Sequence, residues 1–410
     1  MSSTATGNRV FVINCGSSSL KYQLVDPVPG TAVASGLVEQ IGEPLGRVTH
    51  TYAGNVSELI GEIGDHTRAL DLVYQMFHES RLDLDDAGVA AVGHRIAHGG
   101  TVFERPHVVT DDVLEAISQL SELAPLHNPA NVCGIEITKK RFPDIPHVAV
   151  FDTEFFADLP PSVTSIPIDA EVTHKYGIRR YGFHGTSHQY ASEQAAQFLA
   201  RDLAELNTIV LHIGSGASAA AVRGGRAADV TTGMTTVGGL IMGMRPGDVD
   251  PGVILHLLRN ANMGVDELED LLNRRSGLKG MCGANDFREI NRRRHEGDEA
   301  AQLAYDVFVQ RIRRFVGAYL VTLGRVDVIA FTAGIGQNAP DLRADVLANL
   351  EPLGIRVDAK RNNSRKRGRR RISADDSTIE VLVIPANEEL AIARAAWKFV
   401  PPIRGGNSHG

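Results

Sequence analysis

Three glycine-rich turns, two arginines and a few carboxylates and histidines carry the chemistry in this sequence. In NCGSSSLK, Gly16 lets the backbone approach an anion, Ser17, Ser18 and Ser19 present hydroxyl and amide donors, and Lys21 brings a positive charge toward a phosphate oxygen. Asn14, just before the turn, offers an amide oxygen to a hydrated Mg²⁺. The Walker spacing GxxxxGK[ST] is absent, and a plain hairpin accounts for the same stretch. HIGSGAS repeats the glycine–serine chemistry and adds His212. FTAGIGQNAP follows a strand and precedes a helix expected to begin near Pro340, a context in which backbone amides and a helix start receive a nucleotide. GIGQN does not complete GxGxxG, and no acidic residue follows at the ribose-binding distance, which argues against a dinucleotide. Three such turns, each after a strand, favour one nucleotide held between two domains.

GHRIAHGG and GMRPGDVDP set Arg95 and Arg245 among glycines, which leave a guanidinium room to meet a ligand. A pair of guanidiniums can bind a carboxylate and also neutralise a phosphoryl group in transfer, although a surface salt bridge is the commoner fate of an arginine. His184 and His188 in RRYGFHGTSHQY stand four apart, a spacing that suits zinc on one helical face. HExxH is missing and no third ligand lies nearby, so the better reading makes His184 a donor to phosphoryl oxygens, supported by His188. His127 in APLHNPAN has a similar character, and a satisfied, partly buried histidine is the plainer reading of all three. Asp152 closes a strand in FDTEFF, and Glu388 and Glu389 follow another in PANEELAIAR. Carboxylates at strand ends of an α/β protein face the cleft, where magnesium with nucleotide needs few of them. Glu389 equally suits a first-turn helix acid facing the dipole.

These residues need elements to position them, and the pattern is that of an α/β protein. Short β-branched runs alternate with longer amphipathic stretches. Strands are expected at residues 9–14, 22–25, 148–151, 208–213, 218–222, 326–332 and 379–384. A helix is expected to start after Thr110, another with Pro129 at its first position, and a long one to run from Asp298 to Leu323. The 410 residues suggest two domains, and 43% hydrophobic content allows a large core. A well-mixed net charge of −7 gives no reason to expect nucleic acid or a membrane surface as partner. No secretory signal is visible at MSSTATGNR and no run spans a bilayer. Cys15, Cys133 and Cys282, odd in number and far apart, fit reduced thiols in the cytoplasm. The basic segment KRNNSRKRGRRRIS, residues 360–373, lacks interleaved aromatics and reads as a solvated loop. VINCGSSSLKYQLV and VLHIGSGASAAAV share a strand–turn–strand plan. Two halves built on one topology explain this, and so does the commonness of the plan.

Taken in order, NCGSSSLK, GHRIAHGG, APLHNPAN, VFDTEFF, RRYGFHGTSH, LHIGSGAS, GLIMGMRPGDVDP, SGLKGMCGANDFR, FTAGIGQN and NEELAIAR resemble the acetate kinase family from about residue 9 to residue 397. The resemblance implies two RNase H-like domains of the actin-like ATPase type with a central nucleotide cleft. One domain would be residues 1–153, completed by a helix at about 387–400, and the other residues 154–386. It implies a homodimer and the reversible reaction of ATP with acetate to give ADP and acetyl phosphate, with Mg²⁺ or Mn²⁺. By resemblance, Asn14 and Glu388 are the metal pair, Lys21 lies near the nucleotide phosphates, and Arg95 and Arg245 embrace the acyl carboxylate and the moving phosphoryl group. Asp152 matches the active-site acid or base, and His184 matches the transition-state histidine. His212, Ile213, Gly214, Ser215 and Gly216, then Asp286, Phe287 and Arg288, then Gly334, Ile335, Gly336, Gln337 and Asn338, match three nucleotide-binding segments. Acetate is already ionised at pH 7, since a carboxyl pKa lies near about 4, so Asp152 is expected to position another group rather than remove a proton.

The sequence departs from the family pattern at several positions. Ala97 stands where a valine is usual, and Thr236 replaces a proline of the pocket that Leu126 and Phe183 also line. Both changes are expected to enlarge the methyl pocket, which makes a propionate or short-chain acyl kinase the second reading. Ser215, Gln337 and Phe156 also depart, standing where asparagine, glutamate and histidine are usual, and none removes a charged catalytic group. ATP-driven chaperones and actin-like filaments share the implied fold, but they need no arginine pair and carry appended parts for which a chain ending at PPIRGGNSHG is expected to have no room.

Overall fold

We describe residues 7–401 of a computed structural model. MSSTAT and PIRGGNSHG, on which the expectations about a leader and an appended part rest, lie outside the described residues. The chain divides into two units. One runs to Glu154 and resumes at Asn387; the other is Phe155–Ala386.

The first unit is built on eight strands: β1 (Arg9–Cys15), β2 (Ser19–Asp26), β3 (Thr31–Glu39), β4 (Gly46–Tyr52), β5 (Asn55–Gly61), β6 (Val89–Ile96), β7 (His107–Val108) and β8 (His147–Phe151). Their order is β5-β4-β3-β2-β1-β6-β8-β7. β1 pairs antiparallel with β2 and parallel with β6, which pairs parallel with β8. β8 is buried along its whole length, as expected of HVAVF covered on both faces. The helices Asn128–Arg141 and Glu388–Trp397 both pack on β1 and β6. A Cβ at Gly93 would stand 2.8 Å from Ile392, so glycine there lets the second helix approach the sheet and sets the place of Glu388.

The second unit has β9 (Asn207–Ile213), β10 (Ala217–Arg223), β11 (Arg226–Val230), β12 (Val328–Thr332), β13 (Arg370–Arg371) and β14 (Glu380–Val383), in the order β11-β10-β9-β12-β14-β13. β9 pairs antiparallel with β10 and parallel with β12, and β12 parallel with β14. This repeats β3-β2-β1-β6-β8 strand for strand. Both units are therefore RNase H-like, and NCGSSSLK and HIGSGAS are equivalent hairpin turns, closed by Gly16 N–H to Ser19 O and Gly214 N–H to Gly216 O. The long helix Glu299–Leu323 lays Ala304, Phe308 and Ile312 on this core.

Several local expectations shift. Ser19 belongs to β2, so only Ser17 and Ser18 remain in the turn proper. GIGQN is not an open loop: Ala333 turns the chain at φ 62° and Ala333–Asn338 form a short helix before the helix Pro340–Leu347. Pro129 takes the second helical position, after Asn128, and Asp298 caps rather than begins its helix by accepting from Ala301 N–H. Residues 360–373 are not one loop, since they include the helix Ala359–Asn362 and β13. No described helix is long and apolar enough to cross a membrane.

Candidate active site

The parallel ladder of β6 and β8 ends with Arg95 and Asp152 side by side, held by a bond from Asp152 N–H to Ile96 O. Arg95 Nε donates to Asp152 Oδ1 at 2.9 Å and Nη2 to Oδ2 at 2.5 Å, while Nη1 donates to Asn14 Oδ1 at 3.1 Å. A guanidinium has five N–H groups, so these three bonds leave one on each terminal nitrogen for an anion. Burial works against the charge of Arg95, but Asp152, Glu388 and Glu389 more than offset it and hold its pKa above the ordinary value. Both oxygens of Asp152 are taken by Arg95, and its side chain is only 3% exposed. Its geometry is that of an orienting group.

Glu388 approaches Arg95 Nε at 3.8 Å and Lys21 Nζ pairs with Glu389 at 2.5 Å. Lys21 is thus tied to the first turn of the helix Glu388–Trp397, where the sequence suggested a phosphate partner. Burial pushes the Glu388 carboxyl up to about 7, with Arg95 and Lys21 pulling it down and Asp152 and Glu389 pushing it up. Three carboxyl groups face two cations here. No group of three or more acidic, histidine or cysteine ligands forms among the described residues. One amide oxygen, Asn14, and one carboxylate, Glu388, fit Mg²⁺, which keeps several waters and takes its other ligands from phosphates.

Asn131, which the sequence reading passed over, accepts from Ala97 N–H at 3.0 Å and donates to Cys15 O at 2.6 Å. It locks the strand end that carries Arg95 to the turn that carries Asn14, and leaves Ala97 only 7% exposed. Leu126 is half-buried in the turn before the helix Asn128–Arg141, and His127 sits at its N-cap without a side-chain cap bond.

In the second unit His184 occupies the N-cap of the helix Gly185–Leu199 at φ 60°, and His188 lies one turn on. They do not share a helical face for a metal; they meet on one hydroxyl. Ser218 Oγ lies 2.8 Å from His184 Nδ1 and 2.7 Å from His188 Nε2. Burial, then His212, holds the His188 pKa well below its ordinary value, so His188 is neutral. Its Nδ1 is buried without a hydrogen-bond partner. A buried N–H without an acceptor is rarer than an unshared lone pair, which assigns the His188 proton to Nε2. Ser218 has one hydrogen, so it accepts from His188 and donates to His184 Nδ1. The proton of a neutral His184 then sits on Nε2. A Cβ at Gly216 would lie 3.3 Å from that nitrogen and 3.1 Å from Arg245 Nη2, so the glycine allows the turn to pass against both. His212 stacks on His184 at 4.4 Å and its Nδ1 bonds Ser187 Oγ at 2.7 Å. Arg245 Nη1 donates to Thr236 O at 2.9 Å, and Phe183, 2% exposed, is anchored by its N–H to Thr232 Oγ1.

A cavity of about 700 Å³ in the same unit brings the three glycine and acidic segments together. Gly214, Ser215, Asp286, Phe287, Arg288, Gly334, Ile335 and Asn338 line it. His212, Ile213, Gly216, Gly336 and Gln337 do not: Ile213 is core, and the carbonyls of Gly336 and Gln337 point away and accept from Arg343 Nη1. Asn285, Asn291 and Asp341 also line it and carried no glycine or charge-pair signal in the sequence. Asp286 caps the helix Phe287–His295 by accepting from Arg288 N–H, a local reason for the NDFR order. The dimensions and donor-rich turns suit a nucleotide.

A family model described as the acetokinase family matches residues 9–394. The acetate kinase of Corynebacterium efficiens is 50% identical over 95% of this chain and 98% of its own, and that of Streptomyces avermitilis 49% over 96% and 97%. Among solved structures, Porphyromonas gingivalis acetate kinase superimposes with a TM-score of 0.90 at 38% identity, covering 96% of this chain and all of that one (100%). A propionate kinase from Francisella tularensis gives 0.89 at 36%, covering 95% and 99%.

Two outcomes follow from this geometry. Ser218→Ala removes the hydroxyl that fixes His184 and is expected to lower kcat by about 10-fold or more with nucleotide KM little changed; an unchanged kcat contradicts the assignment. Glu154 accepts from Phe151 N–H at 3.0 Å, and burial pushes its carboxyl up to about 7. A raised carboxyl pKa costs nothing below the unfolded value of 4.5, and the cost grows as pH rises to about 7. Glu154→Gln should therefore stabilise the fold at pH ~8, by on the order of 2–3 kcal/mol and read as a higher melting temperature, and do little at pH ~4.5. Equal shifts at both pH values contradict it.

Proposed function

The chain belongs to the acetokinase family, and from that premise we propose that it is an acetate kinase, transferring the γ-phosphoryl group of ATP reversibly to acetate to give acetyl phosphate and ADP. The observation that carries this reading is the Arg95–Asp152 fork, which presents two N–H groups to a small anion beside the buried methyl of Ala97.

Acetate arrives ionised and needs no base. Arg95 binds its carboxylate, Asp152 holds Arg95, and the acyl methyl lies against Ala97 and Leu126; the family resemblance adds Phe183 and Thr236 to the acyl-binding residues. An acetate oxygen attacks the γ-phosphorus in line, forming the new O–P bond as the bond to the bridging oxygen of ADP breaks. His184, as the Nε2–H tautomer, and Arg245 donate to the equatorial oxygens as charge develops there. Gly214–Gly216, Asp286–Arg288 and Gly334–Asn338 hold the nucleotide, with Lys21 in support of the phosphate-facing side. Asn14 and Glu388 would hold Mg²⁺, which when bound neutralises phosphate charge; Mn²⁺ suits the same oxygen donors. Transfer rather than hydrolysis requires that water be excluded from Arg95 and the γ-phosphorus.

The proposal includes a homodimer, which the family resemblance implies, and a cytoplasmic setting, which Cys15, Cys133 and Cys282, all free thiols, support. The small side chain at Ala97 favours propionate as a second acyl substrate, because a methylene in such a pocket is worth only about 1–3 kcal/mol.

Asp152→Asn places an amide against the Arg95 N–H groups and should lower kcat/KM for acetate by on the order of 10²-fold; near-parent activity contradicts the orienting role. Comparing kcat/KM for acetate, propionate and butyrate is expected to place propionate within about 10–200-fold of acetate. A propionate value several orders of magnitude lower removes the enlarged-pocket reading. Acetate-dependent ADP release tests the function itself, and acetate-independent ATP hydrolysis alone overturns it.

A further inference from the structure

A second cavity, of about 490 Å³, lies in the same unit behind the GIGQN turn. Five cations line it: Arg343, Arg365, Lys366, Arg367 and Arg370, and no carboxylate does. None of the five forms an ion pair among the described residues, whereas their neighbours Arg356, Arg361 and Arg371 pair with Asp376, Asp375 and Glu380. Within residues 360–373, Arg361 and Arg371 are ion-paired while Arg365, Lys366, Arg367 and Arg370 line the cavity unpaired; Arg369 bonds Gln194 Oε1 instead. A wholly solvated loop does not divide in this way.

Two of the five are drawn inward. Arg343 is 1% exposed and spends its donors on neutral oxygens only: Asn362 Oδ1, and the carbonyls of Asn362, Gly336 and Gln337. Arg370 Nη2 donates to the Gln337 carbonyl, while its Nε is buried with no partner. Burial, then Arg370, pulls the Arg343 pKa down to about 10, with Asp341 pulling only weakly the other way and too far off to form an ion pair. Buried charges are ordinarily paired, yet neither guanidinium has a carboxylate at ion-pair distance, and the Arg370 Nε–H has no acceptor.

We propose that this cavity is a second anion site, separate from the nucleotide cavity, that binds a small multiply charged phosphate compound. The planar guanidinium forks suit phosphate oxygens, and five positive charges without a carboxylate call for a ligand carrying several negative ones. The volume accommodates a di- or triphosphate with a small organic group, but not a macromolecule. The site also touches the nucleotide cavity through its wall. Asn338 and Pro340 line both cavities, and the Gly336 and Gln337 carbonyls that Arg343 and Arg370 hold belong to the turn whose Gly334, Ile335 and Asn338 face the nucleotide cavity. An anion that pairs with Arg370 therefore changes how firmly that turn is held, and with it the affinity for nucleotide.

The test uses the full chain with its nucleotide cavity saturated by a non-hydrolysable ATP analogue, at about 0.15 M salt so that diffuse attraction is screened. Inorganic triphosphate is titrated calorimetrically, with sulfate as the singly placed anion and a phosphorylated small metabolite as the organic arm. One triphosphate per chain is expected, bound at least 10-fold more weakly by the combined Arg365→Gln, Lys366→Gln and Arg367→Gln variant. These three side chains are exposed, so the variant should fold and keep its basal kcat within about twofold. Triphosphate should shift the KM for ATP of the parent by about twofold or more and leave that of the variant unmoved. No binding with the nucleotide cavity filled, equal binding by the variant, or tighter capture of a short RNA than of triphosphate overturns the proposal. None of these outcomes bears on the acyl transfer itself, which acetate-dependent ADP release reads separately.

Discussion

Asp152 grips the guanidinium of Arg95 with both oxygens while Asn14 takes a third N–H, and much of the first unit is arranged to keep that grip. A buried charge-assisted fork is strong only when its geometry is fixed and its remaining donors are satisfied or presented to a ligand. The parallel pairing of β6 with β8 brings the two residues to adjacent strand ends, β1 delivers Asn14 alongside, and Asn131 ties the two backbones together through Ala97 and Cys15. Even the return of the chain at Asn387 serves this point, because Glu388 and Glu389 add negative charge around Arg95 and Lys21. The result is a guanidinium whose charge cannot be lost by titration and whose orientation is set by Asp152 and Asn14.

The second unit solves a different problem with the same topology. Its equivalent hairpin, HIGSGAS, abandons the lysine and carries a hydroxyl instead, and Ser218 joins two histidines of which one, His188, burial keeps neutral. The direction of the hydrogen-bond chain follows from which buried nitrogen can do without a partner. It makes His184 a donor at Nε2 without requiring it to be charged, while Arg245 supplies a fixed positive charge nearby.

The duplicated sheet was visible in the sequence as two strand–turn–strand echoes, because Gly and Ser must recur where a tight turn follows a buried strand. Arg95 was legible among glycines, Asp152 as a carboxylate at a strand end and His184 as a polar residue in the turn before a helix. Their partners were not. Asn131 sits in the interior of a helix and Ser218 inside a run of alanines, and neither type nor spacing marks a residue whose role is to bond something distant in the chain. Gln337 and Gly336 belong to a glycine motif, yet they face away from the nucleotide cavity because Ala333 turns the segment into a helix. Local pattern marks where a turn occurs; long-range hydrogen bonds decide which side of it is used. The basic segment shows the same limit, since composition alone cannot separate arginines paired outward from those that line a cavity.

The most direct measurement separates anion binding from nucleotide binding in Arg95→Ala. The nucleotide cavity is built wholly from the second unit, whereas Arg95 belongs to the first. The account predicts that this variant binds an ATP analogue within about twofold of the parent, while acetyl phosphate formation falls by on the order of 10²-fold or more, as loss of a preorganised donor does. Acetyl phosphate formed at the parent rate, or a loss of nucleotide affinity that explains the whole defect, would contradict it.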